Sequence, residues 1–410
     1  MQLLPFVPFS LFYTFTVLGN GIILGLICLD SRLHTPMHFF LLAIVDISYA
    51  SNNVPKMLAN LLNKKNTISF GPCIMQTFLY MAFTHTECLV LVMMMVYDRE
   101  MRGNQTSVTE FILLGFPLKP SMQMLLFGLF SLFYAFTLLG NGLIFGLICL
   151  ESRLHTPMYF FLSHLAIVDI AYACNTVPQM LVNLLNPAKP ISFAGCMTQT
   201  FLFLTLAHTE CLLLVMMSYD CYVAICHPLR YSAIMSWKVC ISLVVTSWSV
   251  GFLLALVHLG LLLPLPFCGS QKINHFFCEI ISVLKLACAD THINKVMVLS
   301  GAVSVLVGPF SSIVVSYIHI VHAILKTGSG EGHQKAFSTC SSHLCVVGLF
   351  YGTAIAIYVG PQNENSKEQE KYLLLFHSLF NPMLNPLIYS LRNKEVKNGL
   401  IKLFLKERPS

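Results

Sequence analysis

The chain has 410 residues, a length that would ordinarily hold two or three soluble domains. Only 10% of the residues are Asp, Glu, Lys or Arg, against roughly 25% in an average globular domain, whereas 56% are hydrophobic. The formal net charge is +6 and the mean hydropathy is +0.73. These values exclude a disordered chain and a small disulfide scaffold, argue against binding to nucleic acid, and indicate a membrane protein with several spans.

Apolar runs of about 20 residues, the length that a helix needs to cross a membrane, recur along the whole chain. Three lie before residue 101, near 4–29, 36–62 and 73–97. Seven follow it, near 123–149, 157–185, 196–220, 239–263, 296–323, 336–360 and 371–391. Helices are expected because a helix satisfies its own backbone hydrogen bonds in lipid, which an isolated strand cannot do. We therefore predict an all-α membrane protein.

The two ends of the chain suggest how it is oriented. The first apolar stretch has no basic segment before it and no clear cleavage site, so we expect no cleavable signal peptide at Met1. Basic residues cluster after the last span, at Arg392, Lys394, Lys397, Lys402, Lys406 and Arg408. By the positive-inside rule this end is predicted to be cytoplasmic, beside anionic membrane lipid.

A long internal repeat changes the predicted organisation. Residues 19–37 read GNGIILGLICLDSRLHTPM and residues 140–158 read GNGLIFGLICLESRLHTPM, with sixteen of nineteen positions identical. The similarity continues through the third span and ends at Tyr97-Asp98, opposite Tyr219-Asp220. The first copy therefore contains three spans, and the second contains the same three and four more.

The first copy is also damaged. It reads Phe40-Leu41-Leu42 where the second copy reads Phe161-Leu162-Ser163-His164-Leu165, so two residues are missing from its second span. Two missing residues rotate the rest of a helix by about 200° and move its faces out of phase. This favours a tandem-gene fusion or a gene-model error over a functional ten-span design. We predict a partial duplicate in residues 1–100 and a complete seven-helix unit in residues 101–410.

Six motifs of the second copy appear in a fixed order and spacing. They are GN at 140–141, LHTPMYFFL at 154–162 with Asp169 after it, MSYDCYVAICHPL at 217–229, SY at 316–317, KAFSTCSSHL at 335–344 and PMLNPLIYSLRN at 382–393. Together they resemble the odorant receptors, a rhodopsin-like family of G-protein-coupled receptors, along the full length of residues 101–410. Residues 1–99 resemble the first three spans of a close relative.

The resemblance implies a multi-pass receptor of the plasma membrane with its N-terminus outside. Its ligand would be a small volatile organic molecule, and its partner a heterotrimeric stimulatory G protein of the olfactory type. An enzyme is not expected, since the sequence has no nucleophile elbow, no Gly-rich phosphate loop and no HExxH. The alternative is a non-functional fused pseudogene product, and a transporter would need a polar path that two intramembrane carboxylates do not provide.

One position departs from the family pattern. The third span of an odorant receptor ends in Asp-Arg-Tyr, whereas this chain has Asp220-Cys221-Tyr222. In activated family members this Arg meets the G protein. We therefore expect coupling to be impaired at Cys221.

Two carboxylates and an Asn-Pro motif lie inside apolar spans. A carboxylate at mid-membrane is costly, so Asp169 and Glu210 are expected to face the bundle interior with a partner. In the family this pair resembles an internal sodium site; the alternative is that one or both are protonated. Asn385-Pro386, with Tyr389, matches the family's switch at the end of the seventh span, and a static proline kink is the alternative.

The third span predicts one wall of a ligand cavity. His208 lies about one helical turn from Phe203, Leu204 and Cys211, and Thr200 and Ala207 share the same wall. Opposite it, the resemblance places Gly301, Val305, Tyr351, Ala354, Ile355, Tyr358, Leu375 and Ser378. Such a cavity is mostly apolar with a few hydrogen-bonding groups, which suits a small volatile molecule. Simple helix packing is the alternative for each residue.

Four cysteines lie at the expected outer face, where disulfides form readily. Cys268, Cys278 and Cys288 lie in the polar segment 264–294, and Cys196 begins the third span. Four cysteines permit three pairings, and their spacing does not choose among them. A zinc site is a weaker alternative, because no two of them form a CxxC. The resemblance favours Cys196–Cys278 and Cys268–Cys288.

Asn104-Gln105-Thr106 is an N-x-T sequon in the segment before the first span of the second copy. Such triplets also occur by chance. Its place in an expected extracellular segment predicts that Asn104 is glycosylated.

Overall fold

The structure is a computed structural model that describes residues 108–186, 188–268, 270–327, 330–358 and 364–392, with Val396 and a few positions before residue 52. The chain divides into two compact units, Met1–Ser107 and Val108–Ser410. The three predicted upstream spans lie almost wholly outside the described residues. So do Asn104 and the basic tail beyond Arg392.

Seven long helical stretches form the second unit. They are α1 Pro120–Leu150, α2 Pro157–Leu185, α3 Phe193–Cys226, α4 Trp237–Leu262, α5 His292–Thr327, α6 Gly330–Tyr358 and α7, which joins Glu364–Leu375, Phe376–Phe380 and Asn381–Arg392. Short helical segments also occur at Ser152–Leu154, Pro228–Arg230, Tyr231–Ile234 and Ile280–Leu284. Proline opens α1 and α2, where its missing N–H costs no helical hydrogen bond.

Each of the seven predicted spans in residues 101–410 is confirmed as a helix. Helices α1 to α6 are long and apolar enough to cross a membrane. Helix α7 is more polar, because its first segment reads ENSKEQEKYLLL, and it contains one π-helical turn at Phe376–Phe380. Helices α2 and α3 are the most buried of the first six, whereas α1 and α5 are the least buried.

The all-α prediction is wrong in one detail, because three short strands form a small sheet. They are β1 Glu110–Leu113, β2 Pro190–Ser192 and β3 Lys272–Ile273, in the order β2-β1-β3. Strand β1 runs antiparallel to β2 and parallel to β3. The sheet thus ties the segment before α1 to the start of α3 and to the loop between α4 and α5. Hydropathy alone missed it, because strands of two to four residues carry no period that can be recognised.

Two disulfides lie at the same end of the bundle as this sheet. They join Cys196 to Cys278 and Cys268 to Cys288, the pairs that the family resemblance favours. We call this end of the bundle the disulfide end. The first bond fixes the α4–α5 loop to the first turn of α3, where Thr200 Oγ1 also donates to the carbonyl of Cys278 at 2.8 Å.

The α4–α5 loop is more buried than its polar sequence suggests. His275, Phe277 and Glu279 are each at most 2% exposed. The Glu279 carboxylate caps the short helix Ile280–Leu284 by accepting from the N–H groups of Ile281 and Ser282. Burial raises the pKa of Glu279, and these hydrogen bonds partly offset the rise. Burial, assisted by the Lys371 ammonium, lowers the pKa of His275 to about 3.

Helix α3 lies at the centre of the bundle and packs against α2, α4, α5 and α6. Its crossing with α4 is close at Gly251. A Cβ atom at Gly251 would lie 2.5 Å from Thr209 Oγ1 and 2.8 Å from the carbonyl oxygen of Thr205. Small residues allow helix backbones to approach one another in membranes, so the absence of a side chain at Gly251 sets the distance between α3 and α4.

We therefore expect Gly251→Ala to destabilise the bundle. The added methyl group would collide with a backbone oxygen that cannot move aside, and overpacking of this kind typically costs about 1–3 kcal/mol. Thermal unfolding of the purified chain should shift to lower temperature. Gly260→Ala, in the same helix, is the matched control, since a Cβ there meets nothing within 4 Å. Equal unfolding temperatures for the two variants would contradict the close-crossing argument.

Candidate functional site

A cavity lies among α2, α3, α4, α5, α6 and α7. Its volume is about 70 Å³. On the side facing the disulfide end, Phe277 of the α4–α5 loop packs against the wall residue Phe203, with 4.7 Å between ring centroids. An engineered cavity of about 150 Å³ is known to hold benzene. A ligand of that size would therefore require small outward shifts of the walls.

The structure brings seven of the fourteen predicted wall residues into this cavity. They are Phe203, Leu204, Ala207, His208 and Cys211 of α3 with Ala354 and Tyr358 of α6. The five α3 residues occupy positions i, i+1, i+4, i+5 and i+8, which lie along one side of a helix. Thr200, which was predicted to share this wall, lies outside the cavity and donates to the Cys278 carbonyl. The cavity surface is mostly apolar, as the sequence predicted.

The other seven predicted wall residues do not line the cavity, and they include the buried residues Thr200 of α3 and Leu375 of α7. Ile355 is 38% exposed and faces away from the interior, because one residue turns a helix by about 100° from Ala354. Gly301 lies against His258, where a Cβ would come within 3.3 Å of the imidazole ring. Ser378 is buried in the π-helical turn of α7 but off the cavity. The side chain of Val305 lies outside the described residues.

Tyr351 also lies outside the cavity, where it packs against the cavity wall. Its hydroxyl contacts the Cys211 thiol at 2.9 Å and donates to the Cys211 carbonyl at 3.3 Å. These contacts link α6 to α3. Tyr351 therefore supports the wall residue Cys211 and does not itself contribute to the surface of the cavity.

Sequence reasoning missed nine wall residues: Tyr172, His258, Val298, Ala302, Leu306, Phe350, Ile357, Leu374 and His377. Two carried a usable signal. His258 is a polar residue inside the apolar run of α4, and such residues normally face the bundle interior. Tyr172 lies three positions after Asp169, and so on the same inward face of α2. The aliphatic residues carried no signal that separates a cavity wall from ordinary packing.

Two histidines form one polar side of the cavity. The rings of His208 and His258 are 6.2 Å apart. In each ring Nδ1 lies against the carbonyl oxygen four residues earlier, that of Leu204 or Leu254. A carbonyl can only accept, so both Nδ1 atoms must donate, and in a neutral ring Nε2 is then an acceptor. The histidines therefore offer acceptors to a ligand and no free donors.

The two intramembrane carboxylates lie deeper in the bundle. Asp169 is fully buried, and the side-chain amide of Asn385 donates to its two oxygens at 3.1 and 3.0 Å. Glu210 is 3% exposed. The described residues contain no cluster of three or more His, Cys, Asp or Glu side chains that could hold a metal ion. Carboxylate and amide oxygens are nevertheless hard ligands of the kind that alkali cations use, so the pair fits a sodium ion chemically.

The predicted switch residues of α7 pack against α1. Asn141 of α1 donates to the carbonyl of Pro382 at 2.9 Å, and a Cβ at Gly140 would come within 3.2 Å of Pro386. The kinked part of α7 thus lies close to the α1 backbone. Tyr389 is 4% exposed, and its hydroxyl has no hydrogen-bond partner among the described residues.

The predicted G-protein contacts lie at the end of α3 away from the disulfides. Asp220 is buried and accepts from the Tyr231 hydroxyl at 2.8 Å, whereas Tyr222 is only half-buried. Cys221 is 5% exposed, and its thiol lies close to Cys340 of α6 and Tyr317 of α5. Cys221 therefore lies among three helices, and no charged side chain occupies its position.

Comparisons with known proteins agree with this architecture. The sequence model of the family described as olfactory receptor matches residues 9–105 and again residues 130–407. Olfactory receptor 2A7 of Mus musculus is 79% identical over 308 residues, which are 75% of this chain and 99% of that protein. Olfactory receptor 2A25 of Homo sapiens is 79% identical over 310 residues, which are 76% of this chain and 100% of that protein.

Among solved structures, the crystal structure of squid rhodopsin is similar with a TM-score of 0.56 and 18% sequence identity. The match covers 70% of this chain and 87% of that chain. At this identity the likeness establishes the fold alone.

Proposed function

The chain belongs to the olfactory receptor family, which makes it a multi-pass receptor of the plasma membrane and not an enzyme, and we propose that its cavity among α2 to α7 binds one small volatile organic molecule. The observation that carries the proposal is the cavity itself, a mostly apolar space beneath the disulfide end with a few polar groups on its walls. Apolar surface supplies the affinity for such a ligand, and the polar groups supply its orientation.

Family membership makes the receptor G-protein-coupled, and we propose a stimulatory heterotrimeric G protein of the olfactory type as its partner. The partner would bind at the end of the bundle opposite the disulfides, where Asp220, Cys221 and Tyr222 lie. Binding of a ligand in the cavity changes this end only if the ligand favours the active arrangement over the resting one. Anionic membrane lipid would bind the basic tail beside this end.

His208 is the first residue to test in the proposed cavity. Its Nε2 offers an acceptor within an apolar wall, so His208→Leu should change the relative potency of ligands in a panel by more than tenfold. That change corresponds to about 1.4 kcal/mol, within the range of one buried hydrogen bond. Dose–response curves in a coupling-competent version measure it, and ratios between ligands in the same cells cancel differences in expression. Unchanged ratios would remove His208 from the ligand site.

We also propose that Cys221 impairs signalling. An Arg at this position can direct a charged, planar group toward backbone carbonyls of a docking helix, whereas a thiol offers one weak donor and no charge. The Cys221 thiol is moreover buried close to α5 and α6. There are two alternatives. The chain does not signal at all, as expected of a fused pseudogene product, or neighbouring residues such as Arg230 take over the role of the missing Arg and signalling is intact.

Cys221→Arg should restore ligand-dependent production of cAMP in a chain expressed from Met101. A lost charge-assisted hydrogen bond costs about 1.5–3 kcal/mol, or roughly ten- to a hundredfold in coupling. Cys221→Ala is the matched control, since it removes the thiol without adding charge and should remain weak. Surface labelling normalises the responses. If the natural chain signals as strongly as the Arg variant, Cys221 is not a defect.

For Asp169 and Glu210 we propose a sodium ion as the cofactor, held by these carboxylates near the Asn385 amide. Two buried carboxylates in lipid require compensation, which protons could also supply. Sodium chloride should therefore raise the unfolding temperature of the natural chain more than choline chloride at equal ionic strength. Asp169→Asn should abolish the difference. Equal effects of the two salts on the natural chain would favour protonated carboxylates.

For residues 1–100 we propose a partial duplicate that is absent from a functional receptor. The family model matches residues 9–105 separately, while both relatives align over their whole length to about three quarters of this chain. Three inserted spans with the N-terminus outside would leave residue 100 in the cytoplasm. The second unit requires residues 101–122 outside, and only about 25 residues separate the two spans, too few for another helical crossing with loops.

We therefore expect translation of the functional receptor to begin at Met101. N-terminal peptide analysis of the natural protein should find a chain that begins at Met101 and is glycosylated at Asn104. A chain that starts at Met1, keeps all three upstream spans with its N-terminus outside and still carries a glycan at Asn104 would contradict the parity argument. A form that starts at Met1 with an inverted or partly inserted first copy would contradict the proposed start but not the parity argument.

A further inference from the structure

The donors and acceptors of the cavity are unevenly distributed. His208 and His258 use their Nδ1 protons on backbone carbonyls and leave only acceptors for a ligand. His377 lies within hydrogen-bond distance of Thr353 at 3.1 Å. Tyr358 lies close enough to the Glu279 and Glu370 carboxylates to interact with them electrostatically.

Tyr172 differs from these residues. Its side chain is 1% exposed and lines the cavity, yet its hydroxyl has no hydrogen-bond partner among the described residues. The ring is held edge-to-face by Phe203 at 5.1 Å and by His377 at 5.8 Å between centroids. The ring is therefore fixed by apolar and aromatic packing, whereas the buried hydroxyl is unsatisfied, a state that costs a folded protein stability.

We propose that Tyr172 is a specificity-determining residue whose hydroxyl donates to an acceptor oxygen on the ligand. The ligands favoured by this contact are small ketones, aldehydes and esters. The inference rests on the proposed function of the cavity as the odorant site. A carbonyl ligand needs a donor. His208 and His258 already use their Nδ1 protons on backbone carbonyls, whereas the Tyr172 hydroxyl is a buried donor with no hydrogen-bond partner among the described residues. The Glu210 carboxylate and the Tyr358 hydroxyl are near enough to interact with it electrostatically, without a hydrogen bond. A site that bonds a ligand oxygen discriminates against the analogue lacking it, because the hydroxyl is then left unpaired.

The stability of the ligand-free receptor gives a first test that does not depend on any ligand. In the purified full chain, Tyr172→Phe should unfold at the same temperature as the natural chain or at a higher one, since no hydrogen bond is lost. Tyr351→Phe is the matched control, because that buried hydroxyl contacts the Cys211 thiol and donates to the Cys211 carbonyl. It should unfold at a lower temperature. If Tyr172→Phe lowered the unfolding temperature as much as Tyr351→Phe does, the proposal would be overturned.

Binding of two matched probes gives the second test. Cyclohexanone and methylenecyclohexane have nearly the same shape and differ in carrying oxygen or CH₂ at one position. Thermal shifts at increasing probe concentration report their affinities. In the natural chain cyclohexanone should bind about tenfold more tightly than methylenecyclohexane, which corresponds to about 1.4 kcal/mol. Tyr172→Phe should remove this preference and leave the affinity for methylenecyclohexane unchanged.

Failure of this inference differs from failure of the proposed function. Equal affinity of the two probes for the natural chain, no binding of cyclohexanone, or a preference for cyclohexanone that survives in Tyr172→Phe would each reject the role of Tyr172. The cavity would remain a ligand site if methylenecyclohexane still binds and His208→Leu changes its affinity. Conversely, a Tyr172-dependent preference without cAMP production in the Cys221→Arg chain would support Tyr172 and count against signalling.

Discussion

The amide of Asn385 donates to both oxygens of Asp169, and this contact illustrates the constraint on which the rest of the bundle depends. In lipid no water is available for an unpaired polar group, so a buried donor or acceptor without a partner within the protein is costly. The same constraint explains why Thr205 and Thr209 donate to carbonyls four residues earlier. It also explains how Asn141 joins α1 to α7 through the Pro382 carbonyl. Polar pairs between helices, such as those of Asn141 and Asn385, therefore help to specify which helices are neighbours.

Helix α3 carries this network from one end of the bundle to the other. Cys196 is bonded to the α4–α5 loop, His208 lines the cavity, and Cys221 contacts α5 and α6 at the opposite end. The wall residue Cys211 is linked to α6 through Tyr351. A ligand that shifts α6 relative to α3 would therefore act on contacts at both the cavity and the Cys221 end. A two-state arrangement of α6 against α3 is enough to couple them.

How far the sequence could predict the structure follows from the strength of each signal. The seven helices were predictable, because a run of about 20 apolar residues has one stable form in lipid. Cys196–Cys278 required the family resemblance, since spacing alone leaves three pairings open. Ala354 and Ile355 show the limit for the cavity, because adjacent positions on a helix face different ways and hydropathy does not fix the rotation. The wall from α3 was predictable once His208 had fixed that rotation.

The same constraint separates the two copies of the repeat. The first copy keeps Asp46 and Glu87 at the positions of Asp169 and Glu210, but its three spans include no counterpart of Asn385. It keeps Cys73, the counterpart of Cys196, without a loop to supply the partner cysteine. By itself the first copy would place polar groups in lipid without the partners that stabilise them in the complete unit. The repeat therefore keeps the carboxylates of the first three spans without the partner that Asp169 has in α7 of the second unit.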